Sequence, residues 1–318
     1  MKIFLKKSIA LLPFFKYSKN NRFIFLYHNI SDKNSILYSP IYTTEINNFK
    51  TYIVFLKKYF EFISLDQIVN DDLTKNKNYA SIVFDDGFYS TKEIAYPLLS
   101  TQNIPFTVFI NKNAVEHNRL WVSDIKLNLT NSAFKNAIFP IVKEMSNNLI
   151  NYESFITSPY EYISTFFSSY LISQIEHYVP INKNKIYLDI NDINFLLSKG
   201  VKIENHSVNH FILSKCNHNE IKNEICENVS FIKNNFGIDS KHFSIPFGKK
   251  VHYNKETIEI AFKSGINYVY TNNPMPLPSQ QDYLKTKQKI IPRISILNQS
   301  VQELSFLINR TFFKNYNL

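Results

Sequence analysis

The chain has 318 residues, of which 44% are hydrophobic, 15% aromatic and 19% charged. This composition is typical of a folded globular protein and excludes a disordered chain, and a count of two cysteines excludes a disulfide framework. No stretch reaches the roughly eighteen apolar residues that a bilayer-spanning helix needs.

The net charge of +10 is concentrated at the N-terminus. Six basic residues and no acidic residue lie in the first 22 positions, so the rest of the chain carries only +4. Bulky apolar residues lie between these charges, a combination that suits the surface of an anionic membrane. We therefore interpret residues 1–22 as a membrane-contacting arm, with an ordinary extension and a secretory signal as the competing interpretations.

This charge distribution also bears on partners and location. Because the basic residues are confined to the arm rather than spread over a face, nucleic-acid binding is not expected. The arm favours a cytoplasmic location or a peripheral one at the inner face of the membrane. Secretion stays open as the alternative.

Beyond the arm, short apolar runs alternate with segments of helical periodicity. Strands are predicted at residues 23–27, 62–63, 80–84, 106–110, 201–203, 242–245, 268–271 and 294–297. Helices are predicted at residues 44–59, with Thr44 as the cap, and at 64–70, 90–100, 219–235, 255–264 and 301–313. Strand, helix, strand in this order requires parallel pairing, so residues 23–318 are predicted to form one α/β sheet or barrel domain. Helical spacing dominates from about 122 to 198, which indicates a helical insertion.

Three of the predicted strands end in residues that can bind a metal or move a proton. His28 follows the first strand, Asp85 and Asp86 follow the third, and His206 and His210 follow the 201–203 strand. In a parallel barrel such residues gather at the carboxyl ends of the strands. Two histidines and one carboxylate, with one position left open, form the ligand set of a catalytic zinc site. Taken singly, Asp-Asp-Gly is more often a plain turn and paired histidines are common on surfaces, so the hypothesis depends on their conjunction.

The sequence around these residues resembles that of a known family. Residues 81–87 (SIVFDDG) and 204–210 (ENHSVNH) look like the paired motifs of the polysaccharide deacetylases with NodB homology, and residues 243–248 resemble their third motif. Residues 26–29, 120–124 and 292–294 resemble one branch of this family, in which the order of the motifs is permuted. That branch includes deacetylases of exported amino-sugar polymers. The resemblance covers residues 23–297 and implies a distorted (β/α) barrel, with the insertion matching only loosely.

The resemblance also implies a role for each matching residue. Asp86, His206 and His210 would hold a divalent metal, with zinc the expected ion. Asp85 would be the general base on the metal-bound water, and Phe247 would offer its backbone N–H to the oxyanion. A metal ion that acidifies water next to a free carboxylate is a sound arrangement for hydrolysis.

Two departures from the family pattern involve the acid and the residue that supports the base. The usual arginine of the third motif is Ser244 here, and no histidine follows a strand near the C-terminus, where most members keep their general acid. In the permuted branch the N-terminal histidine is the acid, which points to His28. Arg293 would replace the missing arginine and orient Asp85 by a charge-assisted bond. The alternatives are a strand-end histidine bonded to backbone and a surface arginine.

The predicted function is metal-dependent removal of the N-acetyl group from an amino sugar in a bacterial-type surface polysaccharide or its lipid-linked precursor. Pro246 and the sole tryptophan, Trp121, are the candidate sugar contacts, although a core position would suit Trp121 equally well. Two alternatives stay open: a metal-dependent amidase or deformylase acting on a non-polymeric compound, and a catalytically inactive glycan-binding protein. The presence of all the proposed ligands and of the base disfavours the inactive protein.

Overall fold

The computed structural model describes residues 21–70, 73, 77–180, 182–277 and 289–314, with the side chains of the last helix described to residue 309. The predicted arm lies outside these residues except for its last two positions. Arg22 is the first residue of the first strand, is 6% exposed and donates to the carbonyl of Ile68 at 3.0 Å. Arg22 therefore belongs to the barrel rather than to the arm. Within the described ranges, no helix combines the length and the apolar character needed to cross a bilayer.

Within the described residues, eight parallel strands form a nearly closed barrel. Their order around the barrel is β10 (Lys289–Pro292), β9 (Tyr268–Thr271), β8 (His242–Ser244), β7 (Lys202–Asn205), β6 (Phe106–Ile110), β5 (Tyr79–Phe84), β1 (Arg22–Tyr27) and β11 (Ile294–Ser295). β4 (Glu61–Phe62) pairs with β5 outside this order, and β2 (Asn29–Ser31) pairs with β3 (Thr43–Glu45). The predicted distorted (β/α) barrel is confirmed.

Helices connect the strands and cover the outside of the barrel. They are α1 (Ile46–Leu56), α2 (Leu65–Asn70), α3 (Tyr96–Ser100, preceded by a π-helical turn at Thr91–Ala95), α4 (Lys112–His117), α5 (Trp121–Leu127), α6 (Ser132–Met145), α7 (Tyr152–Thr157), α8 (Pro159–Thr165), α9 (Ser169–Glu176), α10 (Ile190–Ser198), α11 (His218–Phe236), α12 (Lys255–Lys263) and α13 (Val301–Lys314). The prediction that Thr44 caps α1 is wrong. Thr44 lies in β3, where its hydroxyl donates to the carbonyl of Ile296 at 3.0 Å.

The sequence of β1 explains how the barrel is filled. All six of its residues are buried. Ile24 and Leu26 belong to one buried cluster with Phe109, whereas Phe23 and Phe25 belong to a second cluster that includes apolar residues of α1 and α13. Because successive side chains of a strand point to opposite faces, one set fills the barrel and the other contacts the helices. A continuous apolar run is therefore what this strand requires.

The chain between β6 and β7 is helical, from α4 to α10. The buried apolar side chains of α5 to α9 share one cluster with Phe243 and Ile245, at the end of β8, and with Ile221 and Ile225 of α11. The region therefore packs directly on the barrel. This packing brings α5 and α8 next to the carboxyl end of β8.

Candidate active site

The polar residues that follow the strands converge at one end of the barrel. Tyr27 pairs in register with Phe84, and the N–H of Asp85 donates to the carbonyl of Tyr27 at 3.0 Å. His28 and Asp85 therefore leave neighbouring strands at the same level. His206 leaves β7 in the same way, with its N–H bonded to the carbonyl of Ile110, the last residue of β6, at 3.0 Å.

Asp86, His206 and His210 form a compact, buried group that could hold a metal ion. Oδ1 of Asp86 lies 3.2 Å from Nε2 of His206 and 3.3 Å from Nε2 of His210. One ligand atom from each of the three residues lies within 4.8 Å of the others. Two ligands about 2.0–2.1 Å from a tetrahedral zinc ion would lie about 3.3 Å apart, so the observed separations fit such an ion.

The hydrogen bonds around the two histidines leave donor atoms free for a metal. Nδ1 of His206 donates to the carbonyl of Ser244 at 2.8 Å, so Nε2 is the ring nitrogen that remains to bind a metal. Within the part of the chain that the structure describes, Nε2 of His206 and Oδ1 of Asp86, which face each other in this group, are buried without a hydrogen-bond partner. Buried polar atoms are normally paired, so these orphan atoms indicate a missing ligand.

Unusual backbone conformations cluster at this group. Asp86, His210 and Phe247 have φ values of 69°, 59° and 63°, in the left-handed region that non-glycine residues rarely adopt. Each such conformation costs roughly 1–3 kcal/mol and persists only where the surrounding structure enforces it. Gly248 is required at its position, because a Cβ there would lie 2.6 Å from the backbone N of Asn272. These backbone conformations therefore fix the orientations of Asp86, His210 and Phe247 at the candidate metal site.

A network of buried polar side chains supports the His206–His210 loop, and sequence reasoning missed it. The Asn111 amide donates to the carbonyls of His206 and, at 3.2 Å, of Ser207. Glu224 accepts from the backbone N–H of Asn209 at 2.9 Å. One feature of the sequence could have revealed this network. Two polar residues, Glu224 and Asn228, lie on the otherwise apolar side of α11, and in the structure they are 3% and 0% exposed.

Arg293 holds Asp85 through two parallel hydrogen bonds. Nη1 donates to Oδ1 at 2.8 Å and Nη2 donates to Oδ2 at 2.9 Å. The Ser244 hydroxyl also donates to Oδ2 at 2.9 Å and accepts from Nη2 at 2.8 Å. The guanidinium is 1% exposed and lies near the rings of Phe109 and Tyr270. At the position where the family has an arginine, Ser244 thus supplies only a hydroxyl to Asp85. The positive charge beside Asp85 comes instead from Arg293, which directly follows β10.

The charges of the site shift the pKa values of its carboxylates and histidines. Burial raises the pKa of Asp85, but the positive charge of Arg293, followed by His206, outweighs burial and holds this pKa below its usual value. Burial likewise raises the pKa of Asp86, and the neighbouring His210 and His206 more than offset it. Both carboxylates are therefore ionised at neutral pH. Burial lowers the pKa of His210, which keeps this imidazole neutral, the form that binds metals.

His28 lies beside both carboxylates. Burial lowers its pKa, the charges of Asp86 and Asp85 raise it, and His206 opposes them. Among the described residues, Nδ1 of His28 is a further buried atom without a hydrogen-bond partner. The histidine is thus on the same end of the barrel as the metal-binding group and is not bonded to backbone through this atom.

The two predicted sugar contacts are buried in the structure. Trp121 is 2% exposed, its indole N–H donates to the carbonyl of His210 at 3.0 Å, and its ring stacks on Tyr160. Of the two interpretations of Trp121, the structure favours the core position, because both its ring and its N–H have partners inside the protein. Pro246 is also buried. Phe247, only half-buried, places its ring 4.6 Å from that of His210.

Comparison with protein families finds a match in the second half of the chain. Residues 160–269 match the family model of the polysaccharide deacetylases. This match covers about a third of the chain and agrees with the resemblance to the polysaccharide deacetylases with NodB homology. The matched family consists of hydrolases that act on the carbon–nitrogen bond of N-acetyl groups. A comparison with curated proteins finds no match.

Solved structures with the same fold include several deacetylases. The deacetylase PplD of Streptococcus pyogenes, solved with acetate, is 15% identical with a TM-score of 0.58, over 90% of this chain and 97% of that one. IcaB of Ammonifex degensii is 14% identical with a TM-score of 0.56, over 91% and 97% of the two chains. A de-N-acetylase of Aggregatibacter actinomycetemcomitans is 15% identical with a TM-score of 0.54, over 90% and 100%. At this identity the likeness supports the barrel fold.

Proposed function

We propose that this chain is a metal-dependent deacetylase that removes the N-acetyl group from an amino sugar of a surface polysaccharide or its lipid-linked precursor. The observation that carries the proposal is the convergence of the buried side chains of Asp86, His206 and His210, which offer ligand atoms within 4.8 Å of one another, beside a carboxylate that is held by an arginine. The match of residues 160–269 to the polysaccharide deacetylase family supports this reaction class. The expected cofactor is zinc, because one carboxylate and two imidazoles suit this ion.

The residues present fit such a cofactor. Asp86, His206 and His210 would hold the cation, and the 3.2 Å and 3.3 Å separations of their donor atoms support this assignment. A divalent ion there would acidify the attacking water and polarise the acetyl carbonyl. The remaining chemistry falls to Asp85, Phe247 and His28.

Asp85 is proposed as the general base. It is ionised, buried and not needed as a ligand, because both its oxygens are held by Arg293 and Ser244. These bonds hold the carboxylate in one side-chain conformation. It therefore needs no rotamer change before it accepts a proton from the attacking water. Arg293 is a positioning residue in this scheme.

Phe247 is proposed as the oxyanion donor. Its positive φ turns the backbone of the loop after β8, and within the described residues its N–H has no hydrogen-bond acceptor. A free N–H at the ligand group is able to stabilise charge that develops on the acetyl oxygen. The ring of Phe247 packs against His210 and Trp121, which holds this N–H in place.

His28 is proposed as the general acid. Cleavage of an amide requires protonation of the departing sugar amine, and an imidazole donates a proton near neutral pH. His28 lies at the level of Asp85 on the neighbouring strand, and its Nδ1 has no partner among the described residues.

Removal of either histidine ligand is expected to abolish metal binding. Wild-type protein should bind one equivalent of zinc by elemental analysis after dialysis, whereas His206→Ala and His210→Ala should bind none and release no acetate from N-acetylated oligosaccharides. His117→Ala is the matched control, because that side chain is 62% exposed. One tightly bound equivalent in the His206→Ala/His210→Ala double variant would place the metal elsewhere.

Weakening the support of Asp85 is expected to move the acid limb of the pH–rate profile. Arg293→Lys keeps the charge but loses the two-pronged contact, so the pKa of Asp85 should rise. Because a base acts only when ionised, activity is lost as the pH falls through this pKa, and the limb should shift to higher pH. The measurement is kcat/KM against pH, with Arg119→Lys, which alters the separate Arg119–Asp124 pair, as control. An unmoved limb in Arg293→Lys would contradict the positioning role.

A further inference from the structure

Lys126 of α5 holds its ammonium between two tyrosine rings. Its Nζ lies 4.5 Å from the ring centroid of Tyr42 and 4.8 Å from that of Tyr160. Among the residues that the structure describes, no carboxylate forms an ion pair with it, whereas Lys112 and Lys185 of the same helical region each pair with a carboxylate. Lys126 is also half-buried. A half-buried cation without an anion partner is costly, since the rings compensate only part of its lost hydration.

Both rings are connected to the proposed metal ligands, which places Lys126 beside the active site. Tyr160 stacks on Trp121, whose indole N–H donates to the carbonyl of His210. Tyr42 stacks on Phe88 with ring centroids 5.4 Å apart, and Phe88 follows Asp86 by two positions. The charge of Asp86 acts on Lys126 and on both tyrosines. The ammonium therefore lies within electrostatic reach of the reaction centre.

We propose that Lys126 is a specificity-determining residue that binds an anionic group, a carboxylate or a phosphate, carried by the substrate next to the sugar whose acetamide is cleaved. This inference rests on the proposed deacetylase function and narrows its substrate to an acidic glycan or a phosphate-linked sugar. An anion on the substrate supplies the partner that Lys126 lacks in the described protein, and the charge-assisted bond forms where water is largely excluded.

The charge state of Lys126 makes the interaction dependent on pH. Burial lowers its pKa to about 8, and the charge of Asp86 partly opposes this. Tyr42 and Tyr160, the titratable groups that face it from the β2–β3 connection and from α8, have pKa values raised to about 12 by burial, so they stay neutral. Affinity for an anion should therefore fall as the pH rises past 8, and it should stay flat in Lys126→Arg, since arginine remains charged.

The test is equilibrium binding to the full-length, zinc-loaded protein, measured by calorimetry with three probes. Chitotetraose is neutral, a hyaluronan tetrasaccharide carries carboxylates, and UDP-N-acetylglucosamine carries a diphosphate, so the last two distinguish the sources of the anion. Lys126→Met should weaken binding of the preferred acidic probe about tenfold or more and leave chitotetraose within about twofold. Lys126→Arg should retain the preference. Lys143→Met is the matched control, a lysine of the same helical region over the Phe139 ring.

Two results would overturn the proposal. One is a wild-type protein that binds neither acidic probe more tightly than chitotetraose. The other is a Lys126→Met variant whose affinities for acidic and neutral probes change equally or not at all, which would mean that Lys126 only holds the two tyrosines together. Acetate release is measured separately, so a failure of this inference is distinct from a failure of the deacetylase proposal.

Discussion

Asp85→Asn is expected to keep the metal and to lose nearly all deacetylation. Asparagine has almost the same shape and can still accept hydrogen bonds from Arg293 and Ser244, but it cannot take a proton. Removal of a general base costs about a hundred- to ten-thousand-fold in rate. The measurement is acetate release at saturating N-acetylated oligosaccharide, together with the zinc content of the same preparation.

The comparison variant is Asp86→Asn, which should lose zinc as well as activity because Asp86 is a proposed ligand. Asp85→Asn leaves the charge of Arg293 buried without its partner, and breaking a buried pair typically costs about 3–5 kcal/mol of stability. Denaturant unfolding of each variant therefore has to show that the protein is folded at the assay temperature. Equal loss of zinc from both variants would show that the roles of the two aspartates are wrongly divided.

His28→Ala is expected to retain zinc and the fold while losing about two to four orders of magnitude in the rate of N-deacetylation. The acid must be protonated to act, so the wild-type rate falls as the pH rises through the pKa of His28. Burial, the largest influence, lowers this pKa, and the carboxylates of Asp86 and Asp85 oppose the shift. The variant should lack this alkaline limb of kcat/KM.

A substrate with a good leaving group separates the acid role of His28 from a structural one. Release of 4-nitrophenolate from 4-nitrophenyl acetate needs no protonation of the leaving group, so His28→Ala should hydrolyse this ester at nearly the wild-type rate. Its deficit should appear only with N-acetyl sugars. An equal loss on the ester and on the sugar would mean that His28 supports the site by packing, and the general acid would have to be another group.

Local sequence patterns predicted a parallel α/β sheet or barrel and the residues at its carboxyl end, and the family resemblance favoured the barrel. The run of β5, apolar except for Ser81, indicates a strand buried on both faces, and Asp85 and Asp86 follow it directly. The bounds of β6 and β9 agree with the predicted ones. The short strands β2, β3 and β10 were not predicted, because three or four residues give too little periodicity to distinguish a strand from a loop.

The contacts that shape the site were harder to predict because they join distant parts of the chain. The bond from Asn111 to Ser207 spans 96 positions, and buried hydrogen bonds leave no periodic pattern in a sequence. Trp121 is a similar case: its position before an apolar helix fitted both a sugar contact and a core role, and only the bond to His210 decides between them. The tyrosines around Lys126 likewise come from segments more than a hundred positions apart.

Acetate release from N-acetylated oligosaccharides is the most direct test of the central claim. The zinc-loaded wild-type protein should release one acetate for each free amine formed. Activity should disappear on treatment with a chelator and return on addition of zinc, and Asp85→Asn should release almost none. A fully zinc-loaded wild-type protein that binds these glycans and releases no acetate would contradict the account and would identify a glycan-binding protein instead.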